Sequence, residues 1–150
     1  MRETLLVSAC LMGENCKYNG GNNYSPAAEA LKERFDVLPV CPEQLGGLPT
    51  PRVPAERVGD RVLTRDGRDV TGEYQAGAEK ALAEARAAGV RYAVLQERSP
   101  SCGSGCVYDG TFSGKLIPGQ GVTAQLLEES GIKVYGGDRI EVLLDEMGGK

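Results

Sequence analysis

The sequence predicts a single α/β domain over residues 1–150, a three-layer Rossmann-like domain with a four-stranded, mostly parallel sheet. Three observations support this fold class. Short apolar runs recur along the chain, helical patterns separate them, and 150 residues is a usual length for one domain. Since strands that alternate with helices are joined by right-handed crossovers, the four runs are expected to lie parallel, in the order 2-1-3-4.

The first two strands are predicted at residues 5–9 and 37–40. The run 5–9 is continuously apolar apart from one serine, which is typical of a parallel strand covered on both faces. Pro39 cannot donate a hydrogen bond to a ladder, so the second strand is expected at the sheet edge. Between the strands, Ser25 and Pro26 predict the start of a helix. The residues of this helix predicted to face the core are Ala27, Leu31 and Phe35.

The middle of the chain is predicted to hold a loop, a small hairpin excursion and a long helix. Residues 42–54 carry four prolines and indicate an irregular crossing loop. Residues 57–70 indicate a hairpin with turn signals at 59–60 and 66–67. Thr71 is predicted to cap the following helix, which Gly89 ends. The apolar stripe of that helix is predicted at Tyr74, Ala78, Ala81, Leu82, Ala85 and Ala88.

The last third of the chain is predicted to add two strands and two helices. The strands are expected at 92–95 and 132–135, the first helix at 122–130, and the second helix near Asp138. Residues 119–124 match the dinucleotide pattern G-x-G-x-x-A. However, the preceding stretch contains Gly114 and ends in Pro118, so it is a poor central strand. We interpret these glycines as the start of a helix.

The composition disfavours several function classes. Lys and Arg number 17 and Asp and Glu number 21, so the formal net charge is −4 and offers no basic surface for nucleic acid or an anionic membrane. No segment approaches the ~20 apolar residues that span a bilayer. The N-terminus leads directly into a strand and lacks the apolar core of a signal peptide. We therefore expect a cytoplasmic protein, and the sequence leaves its oligomeric state open.

The chain has five cysteines and no histidine, which limits the kinds of catalytic and metal sites that it can form. Without histidine, Ser-His and Cys-His catalytic pairs and mixed Cys/His zinc sites are excluded. Cytosolic cysteines more often bind metal or react than form disulfides. Cys10 and Cys41 follow the first and second strands, and Cys102 lies seven residues beyond the third. Because ligands bind outside the carboxyl ends of parallel strands, these three cysteines are predicted to converge.

Three scattered thiolates suit an iron–sulfur cluster better than a structural zinc ion. Zinc sites favour paired C-x₂₋₄-C knuckles, and the one comparable pair, Cys102 and Cys106, has no matching second pair. Three thiolates would leave the fourth iron of a cubane without a protein ligand and able to take a soft sulfur atom. Cys16 and Cys106 lack strand-end positions and are interpreted as bystanders or resolving thiols. The alternative is that the cysteines only fill a core.

Seven segments, spread in order over nearly the whole chain, carry a resemblance to a known family. These segments are residues 7–13, 16–21, 39–43, 46–52, 69–71, 99–103 and 108–114. Together they resemble the thiouracil desulfidase (TudS-like) family. The resemblance implies a 4Fe-4S cluster held by three cysteines, which map to Cys10, Cys41 and Cys102. It also implies the non-redox removal of sulfur from a thiolated nucleobase such as 2-thiouracil, which gives uracil and sulfide.

The resemblance further implies that the substrate sulfur binds the open iron while water attacks the substrate carbon that carries this sulfur. Glu43 lies two residues after a proposed ligand and is a candidate base for that water, since a site without histidine needs another base. Its alternative is a surface glutamate in a loop. Ser101 is a candidate to bind substrate or relay a proton, and a turn or cap role is its alternative. The candidate pocket walls and edge readers are Tyr18, Asn19, Gly20, Tyr108 and Asp109.

Two other classes of function stay open at this point. One is a non-catalytic module that stores or senses metal or sulfur through its thiols. The other is a thiol redox protein that uses Cys102 and Cys106, although the C-x-x-C motif is missing. Arg52, which lies between prolines, is expected to pair with a carboxylate or to hold its loop.

Overall fold

The computed structural model describes residues 3–148 and contains one parallel sheet, two short antiparallel ribbons and five α-helices in that range. The strands are β1 (Thr4–Ser8), β2 (Asp36–Val40), β3 (Ala55–Val58), β4 (Arg61–Thr64), β5 (Tyr92–Leu95), β6 (Cys106–Tyr108), β7 (Leu116–Pro118) and β8 (Lys133–Gly136). The helices are α1 (Pro26–Ala30), α2 (Pro42–Leu45), α3 (Thr71–Ala87), α4 (Val122–Glu129) and α5 (Ile140–Gly148). Residues 9–12 and 31–33 form 3₁₀ turns.

The four main strands form a parallel sheet in the order β2-β1-β5-β8, which confirms the predicted fold class and strand order. Leu6 of β1 aligns with Leu38 of β2 on one side and with Ala93 of β5 on the other. The strand that contains Pro39 lies at the edge, the position in a sheet where proline is tolerated.

Apolar side chains cover both faces of the sheet, which explains why β1 shows no polar alternation. Leu6 of β1 packs with Leu82 of α3 and Leu127 of α4. Leu5 and Val7 point to the other face, as successive strand residues must, and belong to a second cluster. That cluster also contains Leu31, Phe35, Ile140 and Leu143. These two clusters make the domain a three-layer sandwich.

Two predicted helix details are corrected by the structure. The Oγ of Ser25 accepts a hydrogen bond from the Ala28 backbone N–H at 3.2 Å, which confirms the predicted cap of α1. However, Ala27 is exposed and Ala28 is buried, so the core stripe of this segment starts one residue later than predicted. In α3, Ala88 is exposed because the helix ends at Ala87.

Thr71 does not cap α3 as predicted, because it is the first helical residue and Val70 occupies the cap position. The Oγ1 of Thr71 instead accepts a hydrogen bond from the backbone N–H of Val62 at 2.8 Å. Gly89 follows the helix with a φ of 70°, the left-handed conformation expected after a helix end. Thr71 therefore ties the helix to the neighbouring ribbon rather than to its own first turn.

The β3–β4 ribbon confirms the predicted hairpin and begins two residues earlier, at Ala55. Two elements were not predicted: the short helix α2, within the expected loop 42–54, and the β6–β7 ribbon. Because β7 pairs only with β6 and lies outside the main sheet, the glycines before α4 do not follow a central strand. The interpretation of these glycines as a helix start is confirmed by α4 at Val122–Glu129. In the part of the chain that the structure covers, no helix combines the length and apolar character that a membrane crossing requires.

Candidate functional site

A cavity of about 640 Å³ lies at the carboxyl ends of β1, β2 and β5. Ser8, Cys41 and Gln96, at or just beyond the ends of these three strands, line it. The chain runs from β1 to an outer strand on one side and reaches the other side only at β5, so the cavity lies at the switch point in strand order. The two ribbons supply further lining residues. The volume of the cavity is in the range of small-molecule binding sites.

Four of the five cysteines line this cavity. Cys10 lies in the turn after β1, Cys41 directly precedes α2, and Cys102 follows β5. The structure thus brings together the three cysteines that the sequence predicted to converge. Cys16, which was interpreted as a bystander or a resolving thiol, also lines the cavity, whereas Cys106 of β6 is not among the described residues that line it. All five are free thiols.

Hydrogen bonds bias two of these thiols toward the thiolate, which is the form that binds metal. A hydrogen bond from the Cys16 side chain lowers the pKa of Cys10, and the Nδ2 of Asn23, 3.6 Å from the Cys10 sulfur, lowers it further. The Cys16 side chain and the backbone N–H of Gln44 together lower the pKa of Cys41 to about 7. As the shared donor, Cys16 has a raised pKa.

Cys102 differs from these thiols because it is buried. Burial raises its pKa, and a hydrogen bond with the Ser8 side chain opposes this effect. Cys102 also packs in the apolar cluster that covers one face of the sheet. Its backbone N–H donates to the Oγ of Ser99 at 3.1 Å, so a local turn holds the residue in place.

The donor set fits an iron–sulfur cluster. Within residues 3–148, no three Cys, Asp or Glu side chains are close enough to ligate one metal ion. In a cubane, each protein sulfur binds a different iron, so the ligands surround the cluster rather than converge on one point. Cysteines that follow three separate strands and line one cavity meet this requirement.

Glu43, in the first turn of α2, presents its carboxylate to the same cavity. Its Oε1 accepts a hydrogen bond from the Nη2 of Arg52 at 2.9 Å, and its Oε2 accepts one from the hydroxyl of Tyr74. The side chain is 18% exposed. Burial and the adjacent Glu43 carboxylate raise the pKa of Tyr74, so the phenol stays protonated and acts as a donor. The glutamate is therefore a cavity residue held at both oxygens, not a free surface side chain.

Arg52 connects three parts of the site and is only 5% exposed. Its Nη2 donates to Glu43 and also to the carbonyl oxygen of Cys16, at 3.0 Å. Its Nη1 donates to the carbonyl oxygen of Pro49 and to the Oγ1 of Thr50. Both roles predicted for Arg52, pairing with a carboxylate and holding its loop, are present in the structure.

Close backbone contact between α2 and α3 positions Cys41 and Glu43. A Cβ on Gly77 of α3 would lie 1.9 Å from the carbonyl oxygen of Pro42, and one on Gly46 would lie 2.0 Å from that of Glu73. Only glycine allows this approach. The contact also brings Tyr74 of α3 within hydrogen-bond reach of Glu43.

Two of the five predicted substrate-binding residues, Tyr18 and Tyr108, line the cavity. The other three, Asn19, Gly20 and Asp109, are not among the described residues that line it. The Oδ1 of Asn19 accepts from the backbone N–H of Gly21, and the Oδ1 of Asp109 accepts from that of Thr111. Gly20 supplies a turn with a φ of 81°. The side chains of Asn19 and Asp109 stabilise turns, a common use of short polar residues in loops.

The structure does not place the hydroxyl of Ser101 where the prediction of a catalytic role requires it. Ser101 is 0% exposed, and its Oγ lies 2.7 Å from the Oγ1 of the equally buried Thr123 in α4. A Cβ on Gly121 would lie 2.4 Å from the carbonyl of Ser101, so the helix start packs directly on this segment. The alternative structural role is the one that these contacts support.

Several cavity residues were missed in the sequence. They include Glu56, Arg65, Tyr74 and Phe112, and the place of Cys16 in the cavity lining was also not predicted. One signal was available for Tyr74, because a buried tyrosine in an apolar stripe needs a partner for its hydroxyl. The others come from the two ribbons or from a loop and meet only through long-range packing.

The fold and the site define a class: a parallel α/β domain whose strand-end cavity is lined by cysteines and a partly buried ion pair. The chain belongs to the 2-thiouracil desulfurase family, which matches residues 5–138. This membership confirms the predicted resemblance and identifies the chain as an enzyme of the desulfurase class.

Two known proteins are similar to this chain over nearly its whole length. The uncharacterized protein YbbK of Bacillus subtilis (strain 168) is 43% identical, with 93% of this chain and 99% of that protein covered. The solved structure of the 4Fe-4S-dependent thiouracil desulfidase TudS is 44% identical and superposes with a TM-score of 0.93. The match covers 99% of this chain and 100% of TudS. The predicted three-layer fold is thus also that of a solved relative.

Proposed function

We propose that this chain is a 4Fe-4S-dependent desulfidase that converts a thiolated nucleobase or nucleoside, such as 2-thiouracil, to the oxygen analogue and sulfide. One observation carries the proposal: cysteines that follow three separate strands line one cavity together with the held carboxylate of Glu43. Membership of the 2-thiouracil desulfurase family supports it. We also propose a small-molecule substrate and a cytoplasmic location.

Cys10, Cys41 and Cys102 are the proposed ligands of the cluster, and the 4Fe-4S dependence of TudS supports this choice of cofactor. When bound, the cluster supplies an iron without a protein ligand, a Lewis acid for the sulfur of the substrate. The lowered pKa values of Cys10 and Cys41 favour the thiolates that ligation needs.

Glu43 is the proposed base for the attacking water. Arg52 donates a hydrogen bond to one carboxylate oxygen of Glu43, and Tyr74 donates to the other. Each of these oxygens can still accept a further hydrogen bond. A water in the cavity can therefore donate to Glu43 while the carboxylate stays fixed. Removing a proton from this water strengthens it as a nucleophile toward the carbon that carries the sulfur.

The alternative of a redox pair between Cys102 and Cys106 has less support from the geometry. Cys102 lines the cavity, while Cys106 is outside its described lining. Replacing Cys106 therefore serves as the control for the three proposed ligands.

The test is anaerobic cluster reconstitution followed by incubation with 2-thiouracil and related thiolated bases. The wild type and Cys106→Ser should hold about four irons per chain with acid-labile sulfide and release sulfide over many turnovers. Cys10→Ser, Cys41→Ser and Cys102→Ser should each hold less iron and lose turnover. One zinc per chain without labile sulfide would refute the proposed cofactor. A loaded protein that never releases sulfide would instead indicate a binding module.

A further inference from the structure

The loop between β6 and β7 brings Phe112 to the cavity in an unusual backbone conformation. Phe112 has a φ of 58°, which is uncommon for a bulky residue and indicates a strained backbone. Gly110 and Gly114 flank it, with φ values of 95° and 81°. Strain of this kind persists only where surrounding contacts impose it.

Glu56 of β3 imposes this loop conformation. Its Oε1 accepts hydrogen bonds from the backbone N–H groups of Gly110, at 2.9 Å, and of Phe112, at 3.1 Å. Glu56 is only 9% exposed and itself lines the cavity. Hydrogen bonds to a largely buried carboxylate are stronger than those between neutral groups. The first ribbon thus holds the tip of the second.

Arg65, just after β4, completes the arrangement. Its guanidinium carbon lies 5.5 Å from the centroid of the Phe112 ring, which is cation–π distance. Arg65 and Phe112 both line the cavity. The other phenylalanine, Phe35, is buried in the main core, whereas Phe112 is partly exposed on the cavity wall. Core packing therefore does not account for the position of Phe112.

We propose that the ring of Phe112 is the surface on which the heterocyclic ring of the substrate stacks, with Glu56 as its positioning residue. This inference rests on the proposed function, since it concerns the same cavity. A planar base offers a π-face to any aromatic side chain, and stacking would orient the base without engaging the atom that carries sulfur. The cysteines and Glu43 then act on an already oriented ring.

Four variants of the cluster-loaded enzyme test this role with 2-thiouracil, or with whichever thiolated base the wild type converts best. Phe112→Ala should raise KM roughly 5–150-fold, the range expected for loss of base–aromatic stacking, with kcat within about threefold of the wild-type value. Phe112→Tyr should restore KM, whereas Phe112→Leu, which keeps apolar volume without a π-face, should not. Ile117→Ala removes an exposed apolar side chain of the same ribbon outside the cavity lining and should match the wild type.

Glu56 is tested by a pair of substitutions. Glu56→Gln keeps an oxygen that can accept both backbone N–H groups, so KM should rise less than threefold. Glu56→Leu removes the acceptor and should raise KM as Phe112→Ala does. Equal KM values for these two variants would contradict the positioning role.

Equilibrium dialysis of uracil against the same cluster-loaded proteins separates this inference from the proposed function. Weaker uracil binding by Phe112→Ala and Phe112→Leu than by Phe112→Tyr supports stacking. Unchanged KM and uracil binding in Phe112→Leu would overturn the inference and leave desulfuration intact. If the wild type releases no sulfide, the proposed function fails, and the dialysis still decides whether Phe112 binds a pyrimidine ring.

Discussion

Glu43 receives one hydrogen bond on each carboxylate oxygen, from Arg52 and from Tyr74. Arg52 is in turn held by the carbonyl oxygens of Pro49 and Cys16. The proposed base is thus held in one orientation, which is the usual benefit of supporting contacts around a catalytic group. Arg52 thereby links the Glu43 carboxylate to the backbone of Cys16.

Replacing Glu43 by glutamine should lower turnover by about 10²–10⁴, the usual contribution of a general base. The amide has nearly the same shape and keeps an oxygen for one of its two donors, so the fold and the iron content should be unchanged. Steady-state sulfide release, together with iron and acid-labile sulfide determination, measures both quantities. Glu79→Gln, on the exposed face of α3, is the matched control. Wild-type turnover in Glu43→Gln would remove this residue from the mechanism.

At the scale of elements, the packing of α2 on α3 determines where Cys41 and Glu43 lie. A Cβ on Gly77 would approach the Pro42 carbonyl oxygen to 1.9 Å, closer than any real contact. Gly72, in the first turn of the same helix, has no atom within 4 Å of the corresponding Cβ position. In this helix, Gly77 therefore has no room for a side chain, whereas Gly72 does.

Gly77→Ala should destabilise the protein by about 1–3 kcal/mol or more, because the added methyl group forces α2 away from α3. Helix propensity alone would favour alanine by about 1 kcal/mol, so steric overlap must outweigh propensity for this result. Gly72→Ala should be neutral or slightly stabilising. Denaturant unfolding measures the free energies.

The displacement of α2 should also move Cys41 and Glu43, so Gly77→Ala should take up less iron than Gly72→Ala in a parallel reconstitution. Equal stability and equal iron content in the two variants would show that α2 tolerates a shift without loss of the site.

The main sheet of the molecule could be predicted because the sequence signals for its strands and helices are local. The signals are continuous apolar runs, Pro39 in the edge strand and helix-start residues such as Ser25. Each of them can be recognised from a few neighbouring residues in the sequence. The convergence of Cys10, Cys41 and Cys102 followed from the strand pattern, since parallel strands end at one edge. These parts of the fold and site needed no knowledge of distant contacts.

The remaining features depend on contacts between residues far apart in the chain. Tyr74 meets Glu43 across 31 positions, and Glu56 meets Phe112 across 56. The β6–β7 strands have three residues each, too few for a periodicity signal. Ser101 was placed in the site because it neighbours Cys102, but adjacent residues commonly point in different directions, and its hydroxyl faces Thr123 of α4.

The distribution of apolar residues determines how the domain should respond when the cluster is removed. The clusters on the two faces of the sheet join β1 and β5 to all of the long helices, and the second of them contains no cysteine. We expect a domain of 150 residues with such a core to fold without metal, in contrast to small zinc domains that unfold without it. Cluster binding should therefore add stability by mass action rather than create the fold.

Chelation of the iron under anaerobic conditions should leave the far-ultraviolet circular dichroism spectrum and cooperative unfolding intact. The melting midpoint should fall by about 5–10 °C, since a ligand at a hundredfold excess over its Kd contributes about 2.7 kcal/mol and each kcal/mol shifts Tm by about 2–4 °C at this size. Thermal melts of reconstituted and chelated protein, followed by circular dichroism, give both the helical signal and the melting midpoint. Loss of the helical signal on chelation would mean that the thiol-lined cavity, not the two apolar layers, holds the domain together.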